Sequence, residues 1–353
     1  MEYQVSSLGN MVGRIVTSGG RRIYRIKCQV LPHLSGYVHL LLGTENAPTL
    51  VDAGSGENEC PEQIRKGFEI VRQEFEPDFR PESIQRIVLT HTHIDHFGGA
   101  HDLRRLTGAE IWVHELEARS VCSFNERAAV SNCHFSTFLR ECGIAEEMLE
   151  PVLRMFGFVA GRTESSPVAR TLVGGEEFDG IRVFHFSGHS PGHIALLVDD
   201  CILVGDQILS STLTQIWPES LVPHTGLAHY LESLDRLETL AVQWKREHGG
   251  HLTAIPSHED IIMDIPRRVA LVRKGTEHRN NRIMEILSRY EPPMTADEIA
   301  RKMYLTAHAG RTVFALCDIG SRLEYLQQKG KIAVANYSEF SLTDTPVLRY
   351  CNC

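Results

Sequence analysis

A chain of 353 residues, 42% apolar and 23% charged, has the composition of an ordinary globular protein and material for one large core or two smaller ones. No apolar run reaches the roughly 18 residues that a membrane span requires, so no membrane partner is expected. The net charge of −9 is uneven: Arg267 to Glu339 holds 13 basic and 8 acidic residues, and the acidic remainder excludes a protein that binds nucleic acid over its whole surface.

The N-terminus, MEYQVSSLGNMVGRIV, lacks a basic start followed by an apolar block, so no export signal is expected. Nine cysteines without a CxxC pair suit reduced thiols and a cytoplasmic setting. The terminal Cys351 and Cys353 read as a frayed tail, with a redox or metal role as the alternative.

Segments Ile23–Val30, Tyr37–Leu42 and Thr49–Val51 are rich in β-formers and read as successive strands. The stretch Asp52-Ala-Gly-Ser-Gly56 breaks the pattern with a tight loop. Ile64, Phe68, Val71 and Phe75 give Glu62–Phe75 one apolar helical face. Ile87–Leu89 reads as a buried strand ending in Thr90-His91, and Ile111–Val113 as another strand.

From Glu115 to about Gly161, within a segment of about 115–170, apolar residues recur at three and four, which predicts a helical insertion. Strands resume at Ile181–Phe186, Ile194–Val198 and Ile202–Val204, followed by a helix over Ala228–Trp244 and a strand over Leu252–Pro256. A division into residues 1–266 and 267–353 is expected. In the second part, helices are predicted over Arg279–Arg289, from the capping box Thr295-Ala-Asp-Glu298 through Met303, and over Thr312–Gln328. The last of these turns Val313, Leu316, Ile319, Leu323 and Leu326 inward. Strands at Lys331–Val334 and Pro346–Tyr350 complete a winged-helix-like pattern.

The chemistry concentrates in His91-Thr-His-Ile-Asp-His96. Neither a helix nor a strand puts all four chelating side chains on one face, but a loop past a strand end can. Three imidazoles and a carboxylate crowded together need a cation to satisfy them. Nitrogen and oxygen donors without thiolate suit zinc best, with iron or manganese as alternatives. Gly98-Gly99 follows at once and lets the next helix approach closely. His189, Asp206 and His258 each follow a predicted strand, where α/β folds place their sites. His193 reads as a supporting residue, and His101, His114 and His134 as ordinary polar residues.

This order resembles the metallo-β-lactamase-fold hydrolase superfamily, whose His-x-His-x-Asp-His motif is matched by His91, His93, Asp95 and His96. The resemblance runs from about Arg22 to Asp260. It implies an α+β, four-layer αβ/βα sandwich with two divalent metal ions. His91, His93 and His189 would hold one, Asp95, His96 and His258 the other, and Asp206 would bridge them. Asp52 matches the family's supporting acidic residue. Two such ions about 3.5–4 Å apart make a shared water nucleophilic near neutral pH. Asp95 would orient that water or pass a proton to the leaving group. Tyr230, opening the helix after Asp206, matches an aromatic hydroxyl that several branches aim at substrate.

The motif variant is similar to the glyoxalase II, acyl-thioesterase, lactonase and RNase branches. The insertion's Phe124, Phe135, Phe138, Met148, Met155 and Phe156 could line an apolar pocket, with core packing of most of them as the other reading; an apolar cover would favour a small acyl thioester, ester or lactone. The C-terminal unit is similar to that of the β-lactamase-like-protein-2 branch, which includes a single-strand endoribonuclease, so RNA cleavage is the alternative. The predicted helix over Thr312–Gln328 has only Arg311, Arg322 and Lys329 on or near it, sparse for a recognition helix. A nucleic-acid partner is therefore open but not favoured, and this unit suits packing or homodimer formation. A third reading is a metal-binding sensor without turnover.

Overall fold

The computed structural model describes residues 2–43, 47–157, 163–304, 309–342 and 346–353. The chain begins with β1 (Glu2–Val5), β2 (Val12–Val16), β3 (Arg22–Leu31), β4 (Leu34–Leu42) and β5 (Thr49–Val51). Helix α1 (Cys60–Ile70), extended by a π-helical turn over Val71–Phe75, leads to β6 (Arg86–Val88). The short α2 (Ile94–Phe97) and α3 (Ala100–Thr107) precede β7 (Glu110–His114). The insertion comprises α4 (Ala118–Cys122), α5 (Phe124–Glu141) and α6 (Glu146–Gly157). Then come β8 (Val168–Leu172), β9 (Glu177–Phe178), β10 (Ile181–His185), β11 (Ile194–Val198), β12 (Cys201–Gly205), α7 (Leu227–His248) and β13 (Thr253–Pro256). The C-terminal elements are α8 (Ile265–Arg289), α9 (Ala296–Met303), α10 (Ala309–Gln328), β14 (Ile332–Val334) and β15 (Tyr350–Asn352).

Strands β1 to β8 form one sheet in sequence order, and β13-β12-β11-β10-β9 form a second. Side chains alternate across a strand, so β4 sends Val38, Leu40 and Leu42 to the helix-covered face and Leu41 toward the other sheet. The layer between the sheets holds Ile23, Val51 and Val88 from the first and Val183, Leu196 and Leu203 from the second. Helix α1 packs Ile64 and Phe68 on the outer face of the first sheet, while α7 packs Leu234 and Leu237 on that of the second. These are the four layers expected, helix–sheet–sheet–helix.

The structure departs from the sequence reading in several places, among them the last strand, which is Tyr350–Asn352 rather than Pro346–Tyr350. Strands β1 and β2 precede the first predicted strand. The segment of about 115–170 is helical only as far as the described residues through Gly157, and from Val168 it is β8, the edge strand of the first sheet. The expected end of the insertion at Gly161 lies outside the described residues. Helix α8 begins at Ile265, well before Arg279.

Helix α8 also crosses the expected boundary at residue 266. Its Val269 and Val272 join the core beneath the second sheet, whereas its Ile283 and Ile286 join a cluster shared with the insertion. That shared cluster unites Phe135, Phe138 and Leu139 of α5 with Leu316, Ile319 and Leu323 of α10. The expected cover is therefore largely core: Phe135 and Phe138 pack here, Phe124 packs against Phe97 beneath the first sheet, and Met148 is exposed. The side chains of Met155, Phe156 and Arg311 lie outside the described residues. The capping box at Thr295 and Glu298 forms as expected, and β14 pairs antiparallel with β15.

Candidate metal centre

Strands β5, β6, β12 and β13 all run their C-terminal ends to one edge of the sandwich. There Asp52 follows β5, His91 lies just beyond β6, Asp206 follows β12, and His258 comes two residues after β13. The loop after β10 adds His189. Past His93 the chain turns into α2, which brings Asp95 and His96 back to the same point. This turn needs Gly98 and Gly99: a Cβ on Gly98 would lie 2.2 Å from the Ser55 carbonyl oxygen, and one on Gly99 2.3 Å from that of Ala53.

All seven expected ligands converge. His91 Nε2 lies 3.1 Å from both His93 Nδ1 and His189 Nε2. His258 Nε2 lies 3.3 Å from His96 Nε2 and 3.3 Å from Asp95 Oδ2. Asp206 Oδ2 stands between the groups, 3.5 Å from His96 Nε2, 3.6 Å from His258 Nε2 and 3.8 Å from His189 Nε2. Donor atoms of His91, His93 and His189, and of Asp95, His96 and His258, form compact groups able to hold a cation. Asp206 also groups with His91 and His96.

The surrounding hydrogen bonds select the tautomers. Nδ1–H of His189 donates to the Gln215 carbonyl at 2.7 Å, and that of His258 to the Ser35 carbonyl at 2.9 Å. His96 Nδ1 faces Asp52 Oδ2 at 2.9 Å. Each bond turns an Nε2 atom inward, the arrangement that orients imidazole toward a metal. Asp52 is left-handed at φ 63°. It also accepts from the Thr90 amide at 2.8 Å, the Thr90 hydroxyl at 2.9 Å and the Ser257 hydroxyl at 3.0 Å, joining three strand ends. His193 Nε2 accepts the Asp206 amide at 3.0 Å, the supporting place expected of it. His114 stacks on His185, and His101 pairs with Glu164.

The charges sort into two halves. Burial and neighbouring imidazoles hold His91 well below its ordinary range and His93 at about 3, so that group is neutral. Burial opposes charge at His258 and His96 too, but Asp206 leads the carboxylates that lift His258 to about 9 and His96 well above its usual range. Asp95 is held at about 2 by His96 and His258 against burial, and Asp206 well below its ordinary value by the same imidazoles. Two acidic side chains thus recruit positive charge where the second group converges. Asp206 Oδ1 is buried and has no hydrogen-bond partner among the described residues. Imidazole and carboxylate donors with a buried acceptor left over fit divalent cations.

Sequence reasoning missed Glu117, which is 3% exposed. Its carboxylate accepts the Gly192 amide at 3.0 Å and the Thr92 hydroxyl, tying the loop carrying His91 and His93 to the loop carrying His189. No motif marks it, because a lone Glu after a strand looks solvated. Tyr230, expected to aim a hydroxyl at substrate, is 2% exposed within the core under α7. Its hydroxyl lies near Thr214 and Asp206, without a well-formed hydrogen bond among the described residues. A surface groove of about 440 Å³ lined by Arg86, Glu110 and Trp112 lies at the opposite end of β6 and β7, away from this centre.

Fold and donor geometry define a helix–sheet–sheet–helix sandwich with a cluster able to bind metal ions at one edge. A model of the metallo-beta-lactamase superfamily matches residues 31–126 of this chain. It is similar to the probable metallo-hydrolase YqjP of Bacillus subtilis, with 23% identity over 87% of this chain and 92% of that protein. It is also similar to the beta-lactamase-like protein 2 homolog of Drosophila melanogaster, with 22% identity over 87% of each chain. Among solved structures, the metallo-beta-lactamase family protein TTHA1429 of Thermus thermophilus superposes with a TM-score of 0.72 and 24% identity, covering 94% of this chain and 98% of that one. No described helix is long and apolar enough to cross a membrane.

Proposed function

We propose that this chain is a two-metal hydrolase acting on the thioester, ester or lactone bond of a small acyl substrate. The observation that carries the reading is Asp206 Oδ2 standing within 3.5–3.8 Å of imidazoles from both ligand groups, as a residue shared by two cations must. His91, His93 and His189 would hold one ion, Asp95, His96 and His258 the other, with zinc the metal the donors suit best and iron or manganese the alternatives. Bound there, the ions would supply a water acidic enough to attack near neutral pH and would polarise the substrate oxygen.

The protein's own groups do the rest. Asp95 stays ionised, so its carboxylate acts as a hydrogen-bond acceptor that orients a nucleophile, and it can carry a proton toward the leaving group. His189 and His258, locked through Nδ1, keep their Nε2 atoms from rotating away. Tyr230 is assigned no contact with substrate, because its hydroxyl lies in the core beside Asp206 and Thr214.

Single-strand RNA cleavage is the second reading, motivated by the similarity to the beta-lactamase-like protein 2 homolog. Several C-terminal cations are engaged within the protein, which disfavours it. Arg279 and Arg322 bind Asp318, Arg273 binds Asp235 and Glu238, and Arg301 binds Asp297. Purified protein loaded with zinc, manganese or iron, assayed on acyl thioesters, esters, lactones and a labelled single-stranded RNA, tests the reading. Turnover of an acyl substrate is expected, and cleavage of RNA alone refutes it.

A further inference from the structure

The segment between β12 and α7 touches both the metal centre and the C-terminal helices. Thr214 Oγ1 donates to the Asp206 carbonyl at 3.0 Å, and the Gln215 carbonyl accepts from His189 at 2.7 Å. Two residues on, the partly exposed Trp217 ring stands 6.3 Å from that of His93. On its other side it lies 6.4 Å from Phe135 of α5 and packs on the cluster shared by insertion and C-terminal helices. Trp217 is thus an apolar wall at the mouth of the metal centre.

Helix α10 holds that wall in place. The Glu324 carboxylate accepts the Glu219 amide at 2.7 Å, the Ser220 amide at 3.2 Å and the Ser220 hydroxyl. Gln215 Nε2 donates to the Phe314 carbonyl at 3.2 Å. The Trp217 ring is partly exposed and lies beside His93, so it offers an apolar surface to a substrate group next to the candidate ligands.

We infer that Trp217 contacts the apolar part of an acyl substrate, and that Glu324 is the positioning residue through which the C-terminal helices set this specificity. The inference rests on the acyl-hydrolase reading and extends it to a chain-length preference. A hydrophobic contact rewards each added methylene by about fourfold.

The test uses the metal-loaded full chain and p-nitrophenyl esters of two to eight carbons. The expected result is kcat/KM rising by about fourfold per methylene over the first several carbons, with Trp217→Ala flattening the slope. Glu324→Gln should raise KM for the octanoyl ester several-fold more than it lowers kcat, at wild-type metal content; equal changes in both, or only a lower Tm, overturn the positioning role. Tryptophan fluorescence supplies a readout independent of turnover: octanoate should bind and perturb emission where acetate does not, and Trp217→Phe should abolish the signal. Octanoate binding without turnover of any ester sinks the hydrolase reading and sustains the contact. Ester turnover with a flat series, or a slope unaltered by Trp217→Ala, sustains the hydrolase reading and overturns the contact. Trp217-dependent cleavage of single-stranded RNA without octanoate binding overturns it in favour of base stacking.

Discussion

Asp206→Ala is the sharpest perturbation of the centre. The Asp206 carboxylate lies 3.5 Å from His96 Nε2, 3.6 Å from His258 Nε2 and 3.8 Å from His189 Nε2. Removing a unit negative charge about 4 Å from a cation costs about 4 kcal/mol per unit of positive charge at an effective dielectric of about 20. Even one unit's share of that loss is roughly a thousandfold in affinity, which should empty at least one site in a micromolar metal buffer. The same change should act on the metal-free protein. Asp206 is the leading influence raising His258 to about 9, so the His258 pKa should fall toward its ordinary value in the variant. Elemental analysis after gel filtration reads the first effect and imidazole NMR titration the second. Two metals per chain in the variant would refute the bridging role, and an unmoved His258 would refute the electrostatic assignment.

Asp52→Ala should weaken metal binding by about 10–100-fold, because the group orienting His96 is lost. It should also destabilise the metal-free protein by a few kcal/mol, since buried donors on Thr90, His96 and Ser257 lose their acceptor; calorimetric titration with zinc and urea denaturation check the two effects. Glu117→Ala should lower the affinity of the His91, His93 and His189 group more than that of the other, seen as loss of one metal before two under a chelator. The buried Asp318 is held below its ordinary value by Arg322 against the penalty of burial. A depressed carboxyl contributes stability above its unfolded pKa of about 3.9, and this is lost as pH falls through the folded value. Acid unfolding of the C-terminal helices should therefore begin below about pH 4. Arg322→Met should move that limb to higher pH and cost about 3–5 kcal/mol at neutral pH, read by urea denaturation across pH.

The cluster of candidate ligands was legible because it arrives in a short motif and at strand ends whose apolar runs are hard to mistake. The helix after Asp52 was visible because Ile64 and Phe68 repeat on a single buried face. Strand β1 was not: all four residues are exposed, and only its pairing with β2 marks it as a strand. Strand β8 is an edge strand carrying Arg170, with a burial pattern too weak to stand out after a helical insertion. The first half of α8 was hidden by its basic residues, although Val269 and Val272 lie one turn apart on its buried side. The aromatic residues of the insertion admitted two readings. Phe135 and Phe138 have the spacing of a pocket wall or of a core, and spacing cannot tell the two apart. Only the tertiary fold shows α10 packed against them.

That packing changes what the C-terminal region is for. A winged-helix-like unit joined by a linker could move freely and offer a face to nucleic acid. Here one helix, α8, is part of two cores. Cutting the chain at residue 266 would strip Val269 and Val272 from beneath the second sheet and uncover Phe135, Phe138 and Leu139 of the insertion. The same helices reach the metal centre by a short route: Glu324 holds Glu219 and Ser220, and two residues before Glu219 stands Trp217, facing His93. The insertion and the C-terminal helices, far apart in sequence, thus form one wall beside the ligands. On the proposed reading the strand ends would carry the chemistry and this wall the access, so changes in the C-terminal helices should alter which substrates enter while leaving the candidate ligand geometry in place.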